Sequence, residues 1–574
     1  MTDRLENERF PLLHNHSRRN SVTAEVNEND IIAYVQLRRA SIVSVGTGKM
    51  PSHFALTLKM SRSSLNEGLH PVRSTTSTLG DVSEILSVHS KSLINEPHTS
   101  VGTEAKVLMR YSGPLIVTFL LQYSLTVASV FSVGRLGSVE LAAVSLSSMT
   151  ANISGYAIIQ GVSTCLDTLC AQAFGRKDFN TVGMHFIRCT YLLMLLYIPI
   201  FVLWVFFSEL ILLKLVGADK QDLVAYASQY LQVLAFGIPG FIVFENLKHF
   251  LQSQGIFHAS TYVLLFCAPL NALMNYVLVW DEKIGMGFIG APLSVVITNW
   301  IMCFFLLGYT IYVNGYQCLP RQSLLHESYF RNWNRMIKLS IPGVLMVEAE
   351  WLAFEIITFT ASTFGTDALA AQSIVSTTCV LLYQVPFALS IAASTRIAWY
   401  IGAAAKNASL IAAKTAMYCA LVLGCLNALV LYQFRVFFAS LYTSDSSVIE
   451  LASQVLVIGA IYQINDFLAC ITGGILRGQG RQHIGGIMNL VSYYFVALPF
   501  AFLIAFHFEM KLFGLWIGMI IGLLFVSIFQ TYFVVTSDWD HIILECINEG
   551  IVEDGALLID AHSLVPAMLS NHLV

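Results

Sequence analysis

The sequence predicts an all-α membrane protein in which twelve transmembrane helices form two six-helix lobes related by a pseudo-two-fold axis along the membrane normal. Three observations carry this. Hydrophobic residues supply 56% of the 574 positions and charged residues only 12%, about half the roughly 25% of a soluble domain, and the mean hydropathy is +0.66. Long apolar stretches recur with short polar breaks between them, and the second half of the apolar region repeats the first. A chain with so little charge cannot cover its surface in water, and lipid is the solvent that suits it.

Residues 1–104 are rich in Ser, Asn, Glu and Arg and have no sustained apolar period, so they cannot bury enough surface to offset the entropy of ordering. A disordered cytosolic tail is expected there. Met1 to Asn20 holds no apolar signal-peptide core, which leaves the first span as the targeting signal. Arg18-Arg19-Asn20-Ser21 and Arg38-Arg39-Ala40-Ser41 fit the acidic groove of a basophilic kinase, so Ser21 and Ser41 are candidate phosphorylation sites. The alternative is a solvated basic tail.

A helix needs about 20 apolar residues to cross the hydrocarbon core. Twelve such stretches fall near 111–134, 140–166, 186–208, 226–247, 259–280, 288–312, 337–363, 368–392, 411–437, 452–475, 484–507 and 512–536. Spans 1–6 make an N-lobe over 105–320, spans 7–12 a C-lobe over 321–536, and 537–574 reads as a cytosolic C-terminal tail. Segments after even-numbered spans carry 13 Lys and Arg against 6 after odd-numbered ones, which places the even loops and both termini in the cytosol.

The repeat supplies the symmetry. Ser112, Pro114, Gly137, Leu141, Ala142 and Ala143 recur 228 residues later as Ser340, Pro342, Gly365, Leu369, Ala370 and Ala371. Gln254-Gly255 returns as Gln479-Gly480. Six spans separate the copies, so both halves run in the same orientation.

Ionisable groups inside spans are the informative ones, because a charge at mid-bilayer costs about 2.5–3.5 kcal/mol on insertion scales. Span 7 contains Glu348, Glu350 and Glu355. Glu348 and Glu355 share a helix face and Glu350 lies on the other side, so no single cavity takes all three. Glu348, nearest the helix start, fits a place in the cytoplasmic interface. Asp466 is the acid of span 10. Like charges in low dielectric cannot all stay ionised, and a carboxyl that holds or releases a proton according to which side wets it meets the minimum need of proton coupling. The competing reading is carboxyls hydrogen-bonded into the bundle to fix its packing. Asp167 reads as structural, and Glu245 with Lys248 and His249 as an intrahelical pair. Trp351, Phe354, Tyr383, Tyr462, Phe467, Tyr493 and Tyr494 lie near the acids. Aromatic faces beside a carboxylate suit amphipathic organic cations.

Several motifs are missing. Gly46-Thr47-Gly48-Lys49-Met50 lacks the first Gly and the Ser/Thr of a phosphate loop, so no ATP site is visible and a gradient must supply the drive. Gly478-x-Gly480 reads as a helix-ending turn. The eleven cysteines form no C-x-x-C pair and no His cluster has ligand spacing, so no metal, no other cofactor, no nucleic acid and no enzymatic chemistry are expected.

Gly137 to Ala143, Asp167-Thr168-Leu169-Cys170-Ala171-Gln172-Ala173-Phe174-Gly175, Ala371-Gln372-Ser373-Ile374, Val385-Pro386, Ala393-Ser394-Thr395-Arg396-Ile397 and Gly473 to Gln482 together resemble the eukaryotic multidrug and toxic compound extrusion (MATE) transporters, in order over residues 105–536. The long N-terminal extension resembles that of fungal members. The resemblance implies antiport of small organic solutes, organic cations or other xenobiotics or metabolites, against protons. It implies a proton-coupling set of Glu350, Glu355 and Asp466, and a polar pair at Gln122 and Asn152 in the N-lobe. With Trp351, Tyr383, Tyr462 and Tyr494 these form the expected substrate-binding set. Two departures from the family pattern stand out: its second Trp is Leu352, and the eighth-span acid of animal members is replaced by Ser376-Thr377-Thr378. A monomer is expected, in the vacuolar membrane first and the plasma membrane second. The alternative is a lipid or glycolipid flippase of related fold, which would want a cationic central cavity; the first six spans hold few Arg or Lys.

Overall fold

The computed structural model describes residues 99–550, apart from 135, 218–219, 321, 324–325 and 547–548. Most of the predicted N-terminal tail, with Ser21 and Ser41, and the chain from 551 onward lie outside the described residues. Every regular element among the described residues is helical. The first half comprises α1 (Val101–Val133), α2 (Ser138–Ala151), α3 (Ala157–Ser163), α4 (Cys165–Gly175), α5 (Phe179–Phe206), α6 (Ser208–Val216), α7 (Gln221–Ala235), α8 (Ile238–Ser253), α9 (Ala259–Trp280) and α10 (Gly290–Tyr312). The second comprises α11 (Asn334–Ala361), α12 (Thr366–Gly402), α13 (Lys406–Ser440), α14 (Ser446–Gly478), α15 (Gln482–Val491), α16 (Leu498–Phe502) and α17 (Lys511–Val535).

All twelve predicted spans are helical, and α9 coincides with the stretch predicted at 259–280. By length and composition nine helices can cross a membrane, or ten when α7 and α8 are joined across their 54° bend. The second span is not among them; its helix runs through α2 and α3 with a wide π-helical turn at Asn152–Tyr156 and continues as α4. The seventh, α11, fails that test because its glutamates add charge. The first helix begins at Val101, ten residues before the predicted span. The short α6 lies between the stretches predicted at 186–208 and 226–247, where no helix was expected. Residues 404–410 and 538–546 belong to a small unit of their own, in which Lys406 Nζ lies 2.5 Å from Asp540 Oδ2.

The repeat is visible in the hydrogen bonds. The Ser112 hydroxyl donates to the carbonyl four residues back at 2.7 Å and Ser340 does the same at 2.8 Å. Leu141 N donates to Gly137 O and Leu369 N to Gly365 O, both at 3.1 Å. The helix ends repeat as well: Gly255 N donates to Gln252 O and Gly480 N to Arg477 O at 2.9 Å, with φ of 79° and 77°. Left-handed backbone favours glycine because a Cβ would crowd the carbonyl. The turn predicted at Gly478-x-Gly480 is therefore present in both copies.

The halves meet tightly where the even-numbered spans end, here called the basic face. Small residues let backbones approach. A Cβ on Gly161 of α3 would lie 2.5 Å from Val344 Cα of α11, and one on Gly175 or Gly402 would strike the backbone of the other half. Thr168 Oγ1 donates to Arg477 O at 2.5 Å and Gln172 Nε2 to Gly478 O at 3.2 Å. Glu104, in the first turn of α1, is fully buried and accepts from Arg396 Nη2 at 2.7 Å and from the Tyr400 hydroxyl at 2.6 Å.

Four residues counted as loop cations sit elsewhere. Arg188, Lys248, Arg396 and Arg477 are buried inside helices. Arg188 donates to Ser328 O, Lys248 pairs with Glu245, Arg396 with Glu104, and Arg477 donates to Ser390 Oγ. A window of hydropathy cannot distinguish a cation at a helix end that finds a buried acceptor from one that ends in water.

Replacing Gly161 by Leu should wedge α3 from α11 and destabilise the fold by about 1–3 kcal/mol, the usual cost of overpacking. A lowered midpoint in a detergent thermal melt followed by size exclusion checks this, with Gly113→Leu, whose Cβ meets nothing within 4 Å, as the control.

Candidate functional site

The second half brings two membrane acids together. Ala349 and Ala353, both buried, flank Glu350 on α11 and let it pack close to its neighbours. Glu350 is half-buried. Asp466, on α14, is buried and interacts electrostatically with Glu350. Tyr493 lies beside the Glu350 carboxyl, and Tyr462 in turn neighbours Tyr493. Tyr383 feels both acids and accepts at its hydroxyl from Cys470 Sγ at 3.8 Å. No ion pair among the described residues involves Glu350 or Asp466.

Apolar packing holds this group in place. The Tyr462 ring meets Trp516 at 5.6 Å and Phe354 at 6.1 Å, both edge to face, a favoured geometry for aromatic pairs. Trp516 Nε1 donates to Gln372 Oε1 at 2.8 Å, and Gln463 accepts from Asn427 at 2.9 Å. Tyr493 sits in a second wide turn, Ser492–Ala497. Such turns shift side-chain direction within a helix.

The other predicted residues divide. Glu355 is half-buried and forms no hydrogen bond or ion pair among the described residues. Trp351 is half-buried on α11 next to Glu350. Gln122 in α1 and Asn152, at the start of the first wide turn, are half-buried and are not bonded to the acids. Tyr494 is not with Glu350: it lies beside Glu348. Glu348 itself is the fifteenth residue of the 28 in α11, at mid-helix rather than at its start. Cys470 joins the acids without having been singled out, and Tyr493 does so from outside the expected substrate-binding set. Tyr493 stood in the same aromatic group, whereas Cys470 carried no signal beyond lying four residues after Asp466.

The first half holds a different cluster. Lys248 Nζ lies 2.6 Å from Glu245 Oε1, and His249 Nε2 lies 3.6 Å from the same oxygen, as the intrahelical spacing predicted. Asp167 on α4 was read apart from them, yet its Oδ1 lies 2.6 Å from His249 Nδ1. All four are buried. Lys248 Nζ stands 5.2 Å from the centroid of Phe119, which meets Phe387 at 4.9 Å, which stacks on Tyr383 at 5.7 Å. A row of rings thus links the charged cluster of one half to the acid site of the other.

The sequence profile of the MatE family matches residues 114–277 and 342–503, two copies whose starts are 228 residues apart. The chain belongs to the MATE family. An uncharacterized transporter of Saccharomyces cerevisiae is 44% identical over 445 residues, which is 78% of this chain and 63% of the relative. The MATE chain described here therefore spans less than two thirds of that yeast relative. Protein DETOXIFICATION 16 of Arabidopsis thaliana is 31% identical over 77% of this chain and 90% of its own length. The crystal structure of the eukaryotic MATE transporter AtDTX14 superposes with a TM-score of 0.73 at 25% identity, covering 79% of this chain and all of that one. The MATE fold, two lobes of membrane helices, is the fold of this chain.

Removing one partner of a buried ion pair costs about 3–5 kcal/mol, because the other charge is left without a counterion. His249→Ala should therefore lower the detergent melting midpoint strongly, and Asp167→Asn combined with His249→Ala should recover part of the loss. A double-mutant cycle by thermal melt measures this.

Proposed function

We propose that the chain is a secondary antiporter that exports small organic solutes, chiefly organic cations, xenobiotics or metabolites, in exchange for protons. The observation that carries the reading is that half-buried Glu350 and buried Asp466 interact and have no ion-pair partner among the described residues, whereas the buried acids of the first half are each paired with a cation. An acid in low dielectric must be neutralised. With no fixed cation to do this, a proton or a cationic solute fills the role, and the two compete.

In this scheme protonation of Glu350, assisted by Asp466 and Glu355, weakens solute binding on the acidic side. The proton leaves toward the cytosol when the halves rearrange. Tyr493 positions the Glu350 carboxyl, and Tyr383, Tyr462 and Trp351 offer aromatic surface to the solute. Gln122 and Asn152 supply polar groups from the facing lobe. The interlocked basic face supports a state whose cavity opens to the opposite side. The fungal relative and an acidic far compartment favour the vacuolar membrane over the plasma membrane, with both termini cytosolic and the chain a monomer.

Proteoliposomes loaded with a fluorescent organic cation and given an inward proton gradient should release the dye. Glu350→Gln should abolish the proton-driven component and leave dye binding at neutral pH measurable. Tyr493→Phe should slow it severalfold. Release by Glu350→Gln at the wild-type rate would refute the coupling role, and release driven equally by a sodium gradient would refute proton coupling.

A further inference from the structure

The amide of Gln463 is a buried polar group that the coupling scheme leaves without a role. It lies on α14, three residues before Asp466, and is wholly buried. Its oxygen is held, because Asn427 Nδ2 of α13 donates to Gln463 Oε1 at 2.9 Å. Its nitrogen is free: Gln463 Nε2 has no hydrogen-bond partner among the described residues. A buried N–H without an acceptor is costly, and such groups are few in native structures.

Gly459, Gln463 and Asp466 follow one another at intervals of four and three residues, so they lie along one face of α14. That face meets Cys379 of α12. A Cβ on Gly459 would lie 3.6 Å from Cys379 Sγ, and Cys379 neighbours both Gln463 and Asp466. A thiol is only a weak acceptor. Side chains on a helix lean toward its N-terminus, which brings Asp466 back over the turn of Gln463, and glutamine and aspartate at this spacing form hydrogen-bonded pairs.

We propose that Gln463 is a positioning residue for proton exchange at Asp466. Its free amide N–H donates to the carboxylate once the proton has left, and Asn427, by holding the oxygen, keeps the donor end available. An amide supplies this donor without adding charge. A fixed cation, as Lys248 is for Glu245, would hold the acid ionised and end the exchange. The inference rests on the reading of Asp466 as a proton-coupling acid and adds the residue that tunes it. The titratable groups around Asp466 are Glu350 of α11, Cys379 and Tyr383 of α12, Tyr462 and Cys470 of α14 itself and Tyr493 of the wide turn. The neighbours from α13 and α17 are Asn427 and Trp516, which carry no charge. The α15 helix has no ionisable residue beyond His483 in its first turn, and α4 meets α14 about three turns further on, at Arg477.

The test uses the full chain in nanodiscs and a permanently charged fluorescent organic cation, whose binding is followed by anisotropy as the pH is lowered. Acid should displace the dye from the wild-type chain. Gln463→Met keeps the length of the side chain and removes the donor, which disfavours the carboxylate. It should raise the midpoint of displacement by about one pH unit, a tenfold change in proton affinity, as expected for loss of a hydrogen bond to a charged group. Asn427→Leu, which frees the amide to turn, should move the midpoint the same way by less. Gln463→Asn, which keeps an amide, should shift it less than half as far as Gln463→Met. In an Asp466→Asn background Gln463→Met should have no further effect, a non-additivity that a merely structural role would not produce. A midpoint unmoved by Gln463→Met but moved by Asp466→Asn would overturn the proposal and leave the coupling acid in place. A Gln463→Met shift that persists in full without Asp466 would overturn it too. A midpoint that Asp466→Asn leaves where it was would overturn both this inference and the coupling role of that acid.

Discussion

A carboxylate away from water must be neutralised, and the way each buried acid of this chain meets that demand organises the structure. Glu104 is met by Arg396 and Tyr400, Glu245 by Lys248, and Asp167 by His249. Each of these pairs joins two helices or two turns and is built into the packing. Glu350 and Asp466 instead have each other, with Tyr383, Tyr462 and Tyr493 as electrostatic neighbours. Desolvation of two charges is repaid only by good geometry and full hydrogen bonding. The first group satisfies that with fixed cations, and the second has no fixed cation among the described residues.

The contrast between halves is sharper because their backbones are copies. The same serine-to-carbonyl bonds, the same first-turn bonds after Gly137 and Gly365, and the same left-handed glycine at Gly255 and Gly480 recur at fixed offsets. Duplication has conserved the framework while the ionisable residues placed on it differ. One copy anchors charge with charge; the other carries the candidate chemistry. The row Lys248, Phe119, Phe387 and Tyr383 shows that the two sites are physically contiguous through packed rings.

Much of the fold was legible in the sequence, and the site less so. Apolar runs locate helices because hydrocarbon forces the backbone to bond to itself, and the 228-residue offset gave the symmetry. What a run of hydropathy cannot supply is azimuth and long-range partnership. Glu350 and Asp466 could be named as membrane acids, but the placing of Tyr494 beside Glu348 and Tyr493 beside Glu350 depends on a wide turn that has no composition signal. Asp167 and His249 are 82 residues apart, and nothing in either segment announces the other. Arg188, Lys248, Arg396 and Arg477 looked like loop cations because they lie at helix ends, where hydropathy falls whether the end meets water or a buried acceptor.

The seam between the halves at the basic face is mostly backbone laid against backbone at glycines, with a few amide and hydroxyl bonds. Surfaces of that kind can part and re-form without stranding large side chains, since water replaces each bond one for one. Glu104 and Arg396 are different, because they sit on opposite sides of the seam and would have to hydrate separately. Their separation would leave two buried charges without partners, so the seam is far harder to open at this one ion pair than along the glycines.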